Sequence, residues 1–252
     1  MPIVTTESVV LQVFPYGDTS KILRLLTATH GVRGAMAKGA LRPRSRFGGL
    51  LELFASGVST LYIKDARELQ TLSAFELTRS HQRLGSDLLR FGGASLVAEI
   101  VLRTASEEPQ PHLYQHFLRT LARIQDCDMA TRESEILAGT WALIALLGYA
   151  PDLDVCLACG RSLDEAEEVR FDYAAGGVHC LDCAQAAPGK RLPAHARAAL
   201  ARFNAGDAVV LEESSGHWRL LSNFLDHHVL EGSSLKSLGF LSEMLHAERC
   251  AS

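Results

Sequence analysis

Three features of the sequence predict a multi-domain α+β protein: a small N-terminal β-barrel, then a helical body carrying a metal-binding insert. Five short stretches rich in Val, Ile, Leu and Thr, separated by turn residues, fill residues 1–80. From Leu84 onward, apolar residues recur at helical spacing. Two Cys-x-x-Cys pairs then interrupt the helical half, at Cys156/Cys159 and Cys180/Cys183.

The predicted strands cover residues 3–14, 19–28, 32–40, 50–63 and 69–77. Pro15-Tyr16-Gly17-Asp18 turns the chain after the first, and His30-Gly31 turns it after the second. Gly57 marks a bulge in the long fourth strand. Five short strands in so small a span suit a five-stranded OB-fold barrel.

The pattern changes at Arg79-Ser80-His81, so the boundary is placed between a barrel domain, residues 1–80, and a helical domain, residues 81–252. Leu84, Leu88, Phe91, Leu96 and Ile100 mark a first helix ending near Ser106. Further helices are expected at 111–124 and 132–147, the latter closed by Gly148. The cysteine-bearing insert takes residues 152–187, and Pro188-Gly189 and Pro193 separate it from helices at 194–204, 217–229 and 235–247.

With 252 residues, 47% hydrophobic and 21% charged, the chain can bury a core and is not of disordered composition. No run of about 18 apolar residues is present to cross a membrane. The start, Met1-Pro2-Ile3-Val4-Thr5, lacks the basic and apolar regions of a secretory signal. The expected location is the cytoplasm, with no membrane partner. The net charge of −4 conceals an asymmetry. Residues 1–80 hold ten Lys/Arg against six Asp/Glu, whereas residues 151–252 hold nine against fifteen. A basic N-terminal part suits a polyanion, and an acidic remainder suits protein partners.

The cysteines carry the most specific signal. Each Cys-x-x-Cys knuckle aims two thiolates at one centre, and four thiolates satisfy tetrahedral zinc without leaving a seat for water. One structural zinc held by Cys156, Cys159, Cys180 and Cys183 is therefore expected. Gly160 follows the first pair where positive φ is needed, and Gly176-Gly177 suits a hairpin tip before the second. The competing reading is two redox pairs or free buried cysteines. His179 is expected as a neighbour of the ion rather than a ligand. Cys127 and Cys250 stand apart from the set.

Between Asp18 and Glu52 no acidic residue occurs, while Lys21, Arg24, Arg33, Lys38, Arg42, Arg44 and Arg46 do. The densest run, residues 37–49, mixes these cations with Gly39, Gly48, Gly49 and Ser45, residue types that approach and neutralise a phosphate chain. It is expected to be a mobile cationic loop beside the barrel, with Phe47 and Tyr16 as stacking faces. The competing reading is a solvated basic loop. Nucleotide-binding, zinc-protease, deaminase and serine-hydrolase motifs do not occur, so no enzyme and no small-molecule substrate is expected. His227-His228 beside Asp226 reads as a structural pair, the alternative being an unrecognised hydrolytic site.

In order along the chain, these residues resemble the bacterial RecO family of recombination mediators. The resemblance lies in Glu7-Ser8-Val9-Val10-Leu11, in Tyr16-Gly17-Asp18-Thr19-Ser20-Lys21-Ile22, and in Thr27-Ala28-Thr29-His30-Gly31 followed by Ala37-Lys38-Gly39-Ala40. It continues through Arg42, Arg44-Ser45, Leu50-Leu51-Glu52-Leu53-Phe54 and the late Leu235-Lys236-Ser237-Leu238-Gly239-Phe240-Leu241. The cysteine insert sits where zinc-bearing members carry it. Leu41 departs from the family's habit of two adjacent basic residues there. The resemblance implies an N-terminal OB-fold, a helical body and a zinc segment. It implies binding of single- and double-stranded DNA, annealing of complementary strands, and loading of RecA at gaps together with RecR. In some members the tail of single-strand binding protein is a further partner. It also implies phosphate contacts by Lys38, Arg42, Arg44 and Arg46, with Lys21, Arg24 and Arg33 as weaker candidates. A zinc-ribbon adaptor that binds only proteins remains the alternative.

Overall fold

The computed structural model describes residues 2–64, 67–183, 189–229 and 234–251. Five strands come first: β1 (Ile3–Tyr16), β2 (Ser20–Thr27), β3 (Gly31–Ala37), β4 (Ser56–Tyr62) and β5 (Leu69–Arg79). They close into a barrel in the order β1-β2-β3-β5-β4, with β3 and β5 parallel and the other pairs antiparallel. This is the five-stranded OB-like arrangement expected. A bulge between Val10 and Gln12 lets the long β1 coil and pair with both β2 and β4. Pairing is irregular at Gly57, as its glycine implied, and a Cβ there would lie 2.2 Å from the Glu76 carbonyl oxygen.

Inward residues of the strands, including Val10, Leu23, Leu25, Ala35, Leu61, Leu72 and Phe75, form one buried cluster. The β3–β4 connection joins it through Ala40, Phe47, Leu51 and Ala55. This changes the fourth strand: residues 50–55, expected to begin it, form the connection instead. Leu51 and Phe54 are buried, and Phe54 adopts φ +65°, which breaks an extended run. The Phe54 N–H donates to the Val10 carbonyl at 2.8 Å, and the Val10 N–H donates to that of Ala55 at 3.0 Å.

The helical elements are α1 (Leu88–Thr104), α2 (Pro111–Asp126), α3 (Arg132–Leu146), α4 (Ala194–Asn204), α5 (Ser215–His228) and α6 (Lys236–Ala251). The first starts later than residue 84. A 3-10 turn at Gln82–Ser86 is followed by an extended Asp87 (φ −140°, ψ 124°). Ser86 and Asp87 are residues that favour a helix start over a helix interior. Gly148 ends α3 as expected, with φ +90° and the Tyr149 N–H on the Ile144 carbonyl at 3.0 Å.

Between α3 and α4 lies a small sheet of β6 (Asp152–Cys156), β7 (Val169–Asp172), β8 (Gly177–Cys180) and β9 (Lys190–Leu192), ordered β6-β8-β7-β9. Residues 184–187, the predicted end of the insert, and Pro188 lie outside the described residues. Contacts divide the chain into two compact units: residues 1–87 with 101–125, and residues 88–100 with 126–252. In the second unit, Gly92 and Gly93 of α1 leave room for Leu241 of α6 and Ile136 of α3. The Glu99 carboxylate accepts the backbone N–H of Ser237 at 2.9 Å and its hydroxyl at 2.6 Å, capping α6. Trp141 of α3 and Phe171 of β7 both pack against Phe224 of α5, with ring centroids 5.0 and 6.1 Å apart.

Phe47→Ala should cost about 3–5 kcal/mol, the usual loss for a fully buried phenyl ring. Urea denaturation checks this; a change below 1 kcal/mol (about one methylene's worth) would mean the ring does not fill the barrel.

Candidate metal centre and nucleic-acid interface

The metal centre is built from the ends of β6 and β8, which run parallel with Cys156 opposite Val178. After Cys156 the chain turns so that the Gly160 N–H donates to the Cys156 carbonyl at 2.9 Å, with Gly160 at φ +71°. The Cys180 N–H donates to the Cys156 sulfur at 3.3 Å, fastening one knuckle to the other. All four thiol sulfurs lie within 4.8 Å of one another. A zinc–sulfur bond of about 2.3 Å puts tetrahedral sulfurs about 3.8 Å apart, so the cluster is close enough to hold one metal ion.

The titration pattern shows the same donor set. Burial works against ionising Cys156, but N–H donors from Cys180, Cys159 and Ala158 outweigh it and hold this thiol down at about 5. The Cys183 N–H holds Cys180 low as well. Cys183 is pushed up to about 12, first by its hydrogen bonds to Cys180 and Cys159 and then by burial. Low-lying Cys156 and Cys180 are ready to bind a cation, and soft sulfur donors suit zinc. His179 faces away from this role: its Nε2 lies 3.5 Å from Asp172 Oδ2. The Asp172 Oδ1 also accepts the Ala174 and Ala175 N–H groups at 2.9 and 3.1 Å, closing the hairpin turn that ends in Gly176 (φ +69°). His228 bonds the Tyr173 carbonyl through Nε2 at 2.7 Å, and His227 stacks on the Tyr173 ring. These contacts pack the histidine pair against the hairpin.

The basic run is a series of hydrogen-bonded turns attached to the barrel. The Leu41 N–H donates to the Thr19 carbonyl at 2.8 Å, and successive turns bond Ser45 to Arg42, Gly48 to Ser45 and Leu50 to Phe47. Phe47, expected as a stacking face, is only 1% exposed because it fills the barrel end. Lys38, Arg42, Arg44 and Arg46 stay exposed, and none forms an ion pair among the described residues. The Arg46 guanidinium lies over the Phe47 ring, 5.0 Å from its centroid. Lys21 is used differently: its ammonium donates to the Leu51 carbonyl at 3.1 Å and pairs with Glu52 at 3.2 Å. Arg33 pairs with Glu107 and donates to the carbonyls of His30 and Glu107 at 2.8 and 2.9 Å. Arg24 is exposed on β2. Of the seven cations, five therefore face solvent, while Lys21 holds the β3–β4 connection and Arg33 joins β3 to the segment between α1 and α2. Charge divides by unit: the first holds 14 Lys/Arg against 9 Asp/Glu, the second 11 against 20.

The exposed ring of Phe14 is not among the stacking faces that the sequence suggests, because the first predicted strand ends at that residue. The signal is the alternation Gln12, Phe14, Tyr16, legible only once the bulge at Val10 has reset which residues face inward.

The family model described as "Recombination protein O N terminal" matches residues 1–81, and "Recombination protein O C terminal" matches residues 85–239. The chain belongs to the RecO family. It is 35% identical to "DNA repair protein RecO" of Desulfatibacillum aliphaticivorans, over 97% of this chain and 98% of that one. The protein of the same name from Synechococcus elongatus is 32% identical over 88% of both chains. That from Bacillus pumilus is 28% identical over 96% of this chain and 94% of its own. Membership of this family supports a role in DNA repair and recombination. Among the described residues, no helix is long and apolar enough to cross a membrane.

Two outcomes follow for the metal centre. Stripping the ion with a strong chelator, or Cys159→Ser, should lower the melting temperature, because the knuckles lose a shared ligand centre. Metal uptake should strengthen as pH rises through neutrality, since the ion must displace the Cys183 proton; calorimetry across pH reads this, and an affinity indifferent to pH contradicts it. On the barrel, Arg33→Ala should cost about 1–2 kcal/mol of stability through lost charged hydrogen bonds, with DNA affinity barely changed. A large affinity loss with unchanged stability would instead place Arg33 on the ligand.

Proposed function

We propose that this family member is a non-enzymatic mediator of DNA repair and homologous recombination. It binds single- and double-stranded DNA through its barrel, anneals complementary strands, and helps load RecA at gaps together with RecR. The observation that carries this reading is the quartet Lys38, Arg42, Arg44 and Arg46, exposed and without ion-pair partners among the described residues, on a loop pinned to the barrel. Cations held in place but not neutralised are available to phosphate. Arg24 extends the surface, with Lys21 and Arg33 acting mainly to hold its frame. The physics of annealing is simple. Two strands repel through their phosphates, and a cationic surface that binds both lowers the repulsion and raises their local concentration.

Zinc on Cys156, Cys159, Cys180 and Cys183 is the structural ion in this reading, with all four positions taken by protein. The acidic second unit is a surface for protein partners, RecR first and the tail of single-strand binding protein second. The protein acts in the cytoplasm, at the nucleoid during repair.

Binding of a labelled single strand across a salt series tests the DNA reading. Affinity should fall by about 0.7 log units per log unit of salt for each phosphate contact. Lys38→Glu/Arg42→Glu/Arg44→Glu should weaken binding roughly tenfold or more and flatten the slope by about 2. Absence of DNA binding by the wild type would leave the protein-only adaptor as the better account.

A further inference from the structure

The β1–β2 register sorts residues onto two faces. Val10 pairs with Leu25 and Val13 with Leu23, and these face the core. Gln12 pairs with Arg24, Phe14 with Ile22 and Tyr16 with Ser20, and these face outward. Across the next pair, Ile22 meets Met36 and Arg24 meets Gly34. The outer surface of β1, β2 and β3 therefore carries an apolar row, Phe14-Ile22-Met36, with Tyr16 beside it and Arg24 at its edge. Phe14 is 45% exposed and Tyr16 54%, unusual for two rings on one strand of a small barrel. Arg24 is exposed too.

This face adjoins the cationic loop. The β1–β2 turn is fastened to it by the Leu41 N–H on the Thr19 carbonyl. Two aromatic faces thus sit beside a row of unpaired cations. That combination matches one class of ligand, a polyanion carrying flat aromatic groups that are free to turn outward. Unpaired DNA has this chemistry. Phe14 and Tyr16 lie about 7 Å apart along the strand, one base to each ring.

We infer that Phe14 and Tyr16 form a base-stacking platform that holds unpaired DNA and lets go of the duplex. The inference rests on the proposed DNA binding and adds the residues that tell one form of DNA from the other. Phosphate contacts serve both forms. Ring stacking serves only the single strand, because bases in a duplex are already stacked on one another and must be extruded to reach a side chain. Stacking uses the faces of the bases and leaves their pairing edges free, so a strand held this way still meets its complement. Once paired, the bases leave the rings, and the duplex keeps only the phosphate contacts.

The test compares full-length wild type, Phe14→Ala/Tyr16→Ala, the conservative exchange Phe14→Tyr/Tyr16→Phe, and the loop variant Lys38→Glu/Arg42→Glu/Arg44→Glu. Labelled oligothymidylate and a duplex of the same length serve as ligands in a salt series, with melting temperature and metal content as folding controls. The alanine pair should bind oligothymidylate roughly tenfold or more weakly, with duplex affinity and salt slope unchanged. The conservative exchange should bind like wild type. The loop variant should weaken on both ligands with a flatter slope. An alanine pair that binds oligothymidylate as wild type does, or a conservative exchange as weak as the alanine pair, overturns the platform while the DNA reading stands. A wild type that binds neither ligand overturns the DNA reading, and the platform with it.

Discussion

Burial of Phe47 and Leu51 in the open end of the barrel is the constraint on which the cationic face depends. Five strands supply an inner lining of Val10, Leu23, Leu25, Leu61 and Leu72, but the β3–β4 connection must close the end. Once Ala40, Phe47 and Leu51 turn inward, the charged residues between them have one direction left, because a buried unpaired guanidinium is far too costly. Arg42, Arg44 and Arg46 therefore project into water as a consequence of the packing beneath them. Lys21 shows the same economy from the other side, using its charge on the Leu51 carbonyl and Glu52 to hold the loop down.

The metal centre answers a different problem in the second unit. Its sheet has strands of only three to five residues, too short to be stable unaided. A metal ion on the knuckles would give it a staple, and Phe171 ties it to Phe224, which also packs on Trp141 among the helices. The unit that carries the cysteines is also rich in Asp and Glu. The two units therefore differ in the sign of their net charge.

How much of this is legible in the sequence follows from how local each feature is. The cysteine centre can be read because ligand chemistry and spacing are local, and the strands of the barrel because β-branched residues cluster between turns. The start of β4 cannot, because residues 50–55 form an apolar run that looks like strand until Phe54 is seen at positive φ. Phe47 looks exposed because its neighbours are Arg, Gly and Ser, and only closure of the barrel shows where the ring goes. Arg33 looks free because its partner, Glu107, is 74 residues away in the chain. Features fixed by neighbours in sequence are readable, and features fixed by partners in space are not.

That distinction bears on function as well. A run of cations can be counted from sequence, but phosphate charge is common to single strand, duplex and unrelated polyanions, so counting it cannot say which form a surface keeps. Selectivity needs a contact available in one form and closed in the other. If Phe14 and Tyr16 stack on bases, that contact is a pair of rings, set two residues apart by a strand whose inward and outward faces were exchanged by one bulge. The bulge at Val10 and Gln12 therefore does more than close the barrel. By shifting the alternation it keeps Val13 inside and turns Phe14 and Tyr16 outward, beside the loop that Thr19 anchors. Geometry required to seal a small hydrophobic core thus also sets the two rings in solvent.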